Sequence, residues 1–357
     1  MEHFIEEVWQ FFHAHPENAF QETETSAFIA DKLRGFGFEV HEHLGGTGVV
    51  GVLDSGVAGV NLGLRADMDS LVFTVDGKPT NYHGCGHDAN MSMLLAAADE
   101  LRGKNLPQNI RFLFQPAEEG VTGAVEMVEA GAVPDNTVAA FGMHVWPGVP
   151  KGKVLVKAGP LMASTTTIQI KCRGLGAHCG NREKGNDALM TMAQILVRSK
   201  EAEALAEGDG SILFFGMLHS GTSHNIVASD AAMKGTLRTY YPRTKEKVLA
   251  KLEEIVAQTA AEYKTEAEVI YSADAPAVIN PEDLTKRVQQ LLPNVVTEMA
   301  STRIAEDFSR YQQKAPGVLM WLGVGDTPSL HNGKFLVPKE VLPTGVDGWV
   351  RLATHKW

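Results

Sequence analysis

The sequence has few cysteines, no long apolar run and no excess of basic charge, and each lack excludes a class of protein. Three cysteines among 357 residues, Cys85, Cys172 and Cys179, are too few and too uneven in number for a disulfide framework. No apolar run approaches the roughly 20 residues that span a bilayer, and the acidic start MEHFIEEVWQFF lacks the basic segment of a secretion signal. A formal net charge of -11 disfavours nucleic acid and anionic membrane as partners. We therefore expect a cytoplasmic protein with neither kind of partner.

Short apolar runs alternate with helical patterns along most of the chain. GVVGVLDS, VNLGLRAD, IRFLFQPAEE, VAAFGMHVWP and GVLMWLGVGD are rich in Val, Ile, Leu and Phe. The segments between them include Met91–Leu101, which has helical periodicity and is preceded by Asp88 as its expected N-cap. The alternation predicts an α/β fold whose mostly parallel sheet has helices on both faces.

The pattern changes between residues 162 and 273. A strand, TTTIQIKCRG, precedes a helix with Leu189, Ala193 and Leu196 on one face, followed by two strands, a second helix and a last strand. This order, βαββαβ, is typical of a ferredoxin-like domain. The sequence therefore predicts a catalytic domain at 1–161 and 274–357, interrupted by an inserted domain at 162–273.

Polar side chains end or follow four of the apolar runs. They are Asp67, the pair Glu118 and Glu119, His144, and His331. In open α/β sheets, ligands bind outside the carboxyl ends of the strands. We therefore expect these side chains to gather along one edge of the sheet.

The segment GCGHD places Cys85 and His87 two residues apart, just before a helix. A thiolate and an imidazole are good ligands for zinc, manganese, cobalt or nickel ions. A nucleophilic thiol is the alternative, and it would need a base such as His144, with Asp88 available to orient it. A buried thiol beside a polar histidine is the ordinary structural explanation, so the pair alone leaves all three readings open.

Glu118 and Glu119 follow a strand and a proline. Adjacent carboxylates at a strand end are commonly just solvated. Beside a metal they could divide two tasks, one binding the ion and the other accepting a proton from a bound water.

Five segments, YHGCGHD, FLFQPAEEG, FGMHVWP, EDFSRY and LHNGKF, occur in an order that resembles one metallopeptidase family. It is the aminoacylase and carboxypeptidase-like family of two-metal enzymes, in the amidohydrolase branch that includes hippurate, indole-acetyl-amino-acid and N-acyl-amino-acid hydrolases. The resemblance covers nearly the whole chain. It implies a zinc-peptidase-like catalytic domain and an inserted lid domain through which two subunits form a homodimer.

The resemblance also implies a role for nine residues. Two divalent ions per subunit (manganese, zinc, cobalt or nickel) would be held by Cys85, His87, Glu119, His144 and His331. Glu118 takes the place of the general base. In the lid, His178 matches a histidine that polarises the scissile carbonyl, often from the partner subunit, while Asn225 and Arg238 match contacts to the substrate carboxylate.

The expected activity is hydrolysis of N-acyl amino acids to a carboxylate and a free amino acid through a metal-activated water. A metallo-dipeptidase or exopeptidase with the same site is the alternative. A thiol hydrolase built on Cys85 and a catalytically silent metal-binding protein are two further hypotheses. Arg182, Glu183 and Ala228 stand where the family usually has other residues, which leaves the substrate open.

Overall fold

A computed structural model describes residues 2–57, 59–120 and 122–357. The chain divides into two compact units. The first unit comprises Met1–Leu161, Val278–Ala300 and Asp307–Trp357, and the second comprises Met162–Ala277 and Ser301–Glu306. None of the helices within these described ranges combines the length and the apolar character that crossing a membrane requires.

The first unit contains most of the helices and strands. Its helices are α1 Glu2–Ala14, α2 Thr23–Gly35, α3 His87–Leu101, α4 Gly123–Glu129, α7 Glu282–Leu291, α8 Ser309–Gln312 and α9 Leu342–Thr354. Its strands are β1 Glu39–Leu44, β2 Gly48–Leu53, β3 Asn61–Asp67, β4 Leu71–Val75, β5 Lys78–Tyr82, β6 Asn109–Gln115, β7 Thr137–Pro147, β8 Val154–Leu155, β9 Gly159–Met162, β14 Val278–Asn280, β15 Val295–Val296 and β16 Gly317–Gly325. The remaining helices and strands belong to the second unit.

Eight of these strands form one sheet in the order β1-β2-β6-β3-β7-β16-β8-β15. The four central strands β6, β3, β7 and β16 run parallel to one another. Antiparallel pairs join this centre to β2 on one side and to β8 on the other. The predicted α/β fold with a mostly parallel sheet is confirmed.

Every residue of β3 is buried, which shows that both faces of the sheet are covered. Leu62, Leu64 and Ala66 belong to the main apolar core, together with residues of α1, α2, α3 and α9. Since side chains alternate along a strand, Arg65 and Asp67 lie on the opposite face. Burial on both faces explains why these strands read as continuous apolar runs.

The start of α3 differs from the prediction. The helix begins at His87 and its N-cap is Gly86, with φ 83° and no side-chain cap, so Asp88 is not the N-cap. A Cβ on Gly86 would lie 2.5 Å from Val145 Cγ2, and its left-handed backbone independently favours glycine. Asp88 instead accepts the Ala89 N–H and binds His13 Nδ1 at 2.7 Å.

The second unit has the βαββαβ order. Its elements are β10 Thr165–Arg173, α5 Ala188–Ala204, β11 Ile212–Ser220, β12 Asp230–Arg238, α6 Pro242–Tyr263 and β13 Glu266–Ala275. The strands form an antiparallel sheet in the order β11-β12-β10-β13. The buried face of α5 carries Ala188, Met192 and Ile195, whereas Leu189 is exposed. The helix is therefore rotated by one residue from the face that the sequence suggested.

Candidate metal centre

Cys85 and His144 meet at the carboxyl end of β7. Cys85 Sγ lies 3.6 Å from His144 Nε2, and both side chains are buried. His144 lies within β7 rather than after it, on the same face as Arg65, because Gly142 pairs with Arg65. The strand register thus carries His144 to the edge where the loop before α3 presents the thiol.

His87 has one nitrogen held by the backbone and one nitrogen free. Its Nδ1 lies 2.8 Å from the carbonyl oxygen of Asp69. Because a carbonyl can only accept, Nδ1 carries the proton in the neutral ring and Nε2 keeps its lone pair. Nε2 is buried without a hydrogen-bond partner. His144 Nδ1 likewise donates to a backbone carbonyl, that of Val145, at 2.7 Å, and His144 Nε2 faces Cys85 Sγ. This is how metal-binding histidines are oriented in proteins.

The two glutamates after β6 face the free nitrogen of His87. Glu118 Oε2 and Glu119 Oε1 lie 3.9 Å and 4.0 Å from His87 Nε2. The other oxygen of Glu119 is 3.2 Å from His331 Nε2, while its Oε1 is buried with no hydrogen-bond partner. Two buried atoms without a hydrogen-bond partner, His87 Nε2 and Glu119 Oε1, therefore face the same space.

His331 reaches the centre from the loop that follows β16. Its backbone is left-handed, with φ 61°, and its N–H donates to the Gly84 carbonyl at 2.9 Å. This bond ties the loop to the segment that carries Cys85. The side chain is about half exposed, so it forms the open side of an otherwise buried cluster.

Three overlapping groups of potential metal-binding atoms lie entirely within the described part of the first unit. In each group the side-chain atoms lie within 4.8 Å of one another. The groups are Cys85 with His87 and His144, Cys85 with Glu119 and His331, and His87 with Glu118 and Glu119.

Asp69 positions three of these residues at once. Its Oδ1 accepts the backbone N–H of Glu118 and its Oδ2 that of Glu119, each at 3.0 Å. Its own carbonyl oxygen accepts from His87 Nδ1. Asp69 is a site residue that the sequence motifs did not reveal. A second aspartate two residues after Asp67, just past a buried strand, was the available signal.

A buried arginine lies beside the cluster on the second face of the sheet. Arg65 donates to Asp67 at 2.9 Å, to Asp307 at 3.0 Å and to Gln115 at 2.8 Å. Burial opposes ionisation of Asp67, but the charges of His87 and Arg65 hold its pKa below the usual range. Arg65 therefore stabilises two buried carboxylates next to the centre.

The cluster concentrates negative charge. Burial raises the pKa of the Cys85 thiol, and the charges of Glu119 and Glu118 raise it further. Burial opposes protonation of His87, yet the negative charges of Asp67 and Asp69 and the hydrogen bond to Asp69 raise its pKa to about 10. A divalent cation would compensate this charge and stabilise the thiolate. Together with the free Nε2 of His87, these features show that the residues fit a metal ion.

Three predicted site residues lie in the second unit. His178 is exposed and pairs with Ile226 in an isolated bridge, and the Cys179 N–H donates to the Asn225 carbonyl at 3.0 Å. His178 and Asn225 therefore lie together, beside the start of β12. Arg238 ends β12, where burial lowers the pKa of its guanidinium. Since β12 has nine residues, Arg238 lies about 26 Å from its start, at about 3.3 Å per residue.

The first unit thus gathers six of the nine predicted residues, while the second unit keeps His178 with Asn225 and separates both from Arg238. Fold and site together define an α/β protein with a buried thiol–imidazole–carboxylate cluster of the metallohydrolase type. Residues 63–355 match the model of peptidase family M20/M25/M40. The chain belongs to this family, as the sequence resemblance predicted, and is a hydrolase that acts on linear amides.

The relatives that match nearly the full length of this chain include proteins named carboxypeptidase and proteins named deacetylase. The chain is 33% identical to thermostable carboxypeptidase 2 of Saccharolobus solfataricus over 99% of this chain and 95% of the relative. It is 30% identical to N-acetylcysteine deacetylase of Bacillus subtilis, over 96% and 93% of the two chains. Among solved structures, the Bacillus subtilis YXEP protein, described as a dinuclear metal-binding peptidase, superimposes with a TM-score of 0.85 at 28% identity, covering 99% of this chain and 97% of that chain.

Proposed function

We propose that the protein hydrolyses the amide bond of N-acyl amino acids, using two divalent metal ions per subunit. The observation that carries this proposal is the position of Glu118, a buried carboxylate facing a cluster of ligand-type atoms. The similarity to a deacetylase of an N-acyl amino acid and to a dinuclear metal-binding peptidase supports it.

The metal ligands in this proposal are Cys85, His87, Glu119, His144 and His331. Two of the three donor groups share Cys85, which favours more than one cation. Thiolate, imidazole and carboxylate together suit zinc, manganese, cobalt or nickel. When bound, such ions lower the pKa of a water molecule to about 7 and polarise a carbonyl group.

Glu118 moves the proton in this mechanism. Its carboxylate accepts a proton from the attacking water as the water oxygen bonds to the amide carbon. The carbon–nitrogen bond then breaks, and Glu118 returns the proton to the leaving nitrogen, so that a carboxylic acid and an amine result. Asp69 fixes the backbone of Glu118, which holds the base ready for both transfers.

The second unit provides the proposed substrate contacts. Arg238 binds the substrate carboxylate, since a guanidinium pairs with a carboxylate through two parallel hydrogen bonds. His178 polarises the scissile carbonyl and Asn225 assists in substrate binding. Because Arg238 ends β12 whereas the other two residues lie in segments by its start, we infer that one small substrate takes residues from two copies of the chain. We therefore propose a homodimer formed through the inserted unit.

The test is a substrate panel with a defined metal content. Metal-free protein is reconstituted with manganese, zinc, cobalt or nickel and assayed on acetyl, benzoyl, long-chain acyl and indole-acetyl amino acids. Dipeptides with the same carboxyl-terminal residue serve as matched substrates. We expect higher kcat/KM for N-acyl amino acids and two ions per chain by elemental analysis.

Two results would contradict the proposal in different ways. Preference for the dipeptides would favour a metallo-dipeptidase or exopeptidase, the alternative to which the carboxypeptidase relative points. Full turnover in chelator would indicate a thiol hydrolase. Glu118→Gln is the control for the general base, since it should keep its metal content but lose roughly 10²- to 10⁴-fold in kcat.

A further inference from the structure

The residue before the proposed base has an unusual backbone. Ala117 has φ 52°, in the left-handed region that is unfavourable for a residue with a Cβ atom. Its N–H donates to Oε1 of Glu22 at 2.9 Å. Left-handed alanine persists only where its surroundings hold it, and such residues cluster at active sites.

Glu22 is a fully buried carboxylate that comes from far away in the chain. It lies 95 residues before Ala117 and has no exposed surface. Thr47 Oγ1 donates to its second oxygen. Burial raises the pKa of Glu22, and the charge of Asp69 adds to the rise. Burying a carboxylate costs free energy. A role at the end of a surface helix would not require this burial, so the buried position of Glu22 needs another explanation.

Three consecutive backbone N–H groups here donate to carboxylates. Ala117 donates to Glu22, whereas Glu118 and Glu119 donate to Asp69. If Ala117 lost its acceptor, its backbone could relax to negative φ. That rotation would turn the peptide that carries the Glu118 N–H and move the Glu118 side chain with it.

We propose that Glu22 is a positioning residue, which holds Ala117 in its left-handed conformation so that the Glu118 carboxylate stays in place for proton transfer. This proposal rests on the proposed role of Glu118 as the base. This role depends on the length of the Glu22 side chain, which lets its carboxylate oxygen accept the Ala117 N–H, and not on its negative charge.

Two substitutions separate reach from charge. Glu22→Asp keeps the charge but is one methylene too short, and Glu22→Gln keeps the reach with an amide oxygen. We expect Glu22→Asp to lose at least about tenfold in kcat, since a misplacement of about 1 Å can cost about 10²-fold. KM and the metal content should stay near those of the wild type. Glu22→Gln should recover most of kcat.

Glu17→Ala is the matched control for stability. Glu17 accepts the N–H groups of Thr23, Glu24 and Thr25 at the start of α2, next to Glu22, but its bonds do not involve the Ala117 loop. It should lower Tm and leave kcat unchanged. If Glu22→Asp also lowers Tm without lowering kcat, or if Glu22→Gln is as impaired as Glu22→Asp, the proposal is wrong.

Amide hydrogen exchange gives a readout that does not depend on turnover. In metal-loaded protein, Glu22→Asp should speed exchange at the Ala117 and Glu118 amides, and Glu17→Ala should not. A wild type inactive on every substrate would refute the proposed function, while unchanged exchange at these amides would refute the positioning role. Should Glu22→Asp not fold, Glu22→Ala removes the acceptor of the Ala117 N–H altogether, and unchanged exchange and kcat in that variant would equally refute the proposal.

Discussion

Asp69→Asn tests the origin of the geometry at the metal centre. Asp69 uses one oxygen for the Glu118 N–H and the other for the Glu119 N–H, both at 3.0 Å and buried or nearly so. Asparagine has one acceptor oxygen, so its NH₂ group must face one of these N–H groups. Losing a hydrogen bond to a charged acceptor costs about 1.5–3 kcal/mol, and an unsatisfied buried donor costs about 1–3 kcal/mol. We therefore expect a loss of about 2.5–6 kcal/mol in the free energy of unfolding.

The assay is thermal unfolding of the metal-free protein, followed by kcat and metal affinity after reconstitution. Metal affinity or activity should fall about 10- to 100-fold, as is typical when a group supporting metal ligands is removed. Asp187→Asn is the matched control, because Asp187 accepts the Leu189 and Met190 N–H groups with the single oxygen Oδ1. Asparagine can replace that oxygen, so Tm should hardly change. Equal small effects of both substitutions would refute the reasoning.

Three further predictions concern other buried groups. Arg65→Met leaves Asp67 and Asp307 without their cation and should cost about 3–5 kcal/mol in chemical denaturation; a stability equal to the wild type would show that the ion pairs contribute nothing. In metal-free protein at pH 8, Cys85 should be alkylated far more slowly than the exposed Cys179, since its thiol is buried and its pKa is raised; mass spectrometry showing equal rates would contradict this. Because the pKa of Glu22 is raised above 4.5 in the folded protein, the wild type should lose stability relative to Glu22→Gln as pH rises from 4.5 through the folded pKa. The same Tm difference between the two proteins at pH 5 and at pH 8 would exclude this.

The pattern of strands and helices was predictable because buried positions favour apolar residues, and the spacing of apolar residues can be read from the sequence. β16, a strand covered on both faces, is apolar along its whole length. The antiparallel strand β1 was not predicted, since its alternating half-exposed residues carry only a weak signal. The buried face of α5 was misplaced by one residue, because Leu189 and Ala188 are both apolar and only packing decides between them.

The helix start at His87 shows a different limit. A side-chain cap at Asp88 follows from residue preferences, yet the close approach of Val145 to Gly86 sets the helix start instead. Contacts between distant segments therefore override the local preference. Asp69 and Glu22 were missed for the same reason, since the residues after β6 whose N–H groups they accept lie 49 or more positions away in the chain.

The sequence by itself determined the fold class, the family and the set of residues that could bind metal, because residue type and order carry that information. Only the tertiary structure decided which nitrogen of His87 faces the cluster, which carboxylates hold the loop after β6, and that Arg238 ends β12 whereas Asn225 lies in the segment before that strand. These properties depend on distances between segments remote in sequence. The physical reason is that the packing of distant segments sets the direction of each hydrogen bond and the burial of each side chain. The order of residues limits the possible packing, but the packing cannot be read from it directly.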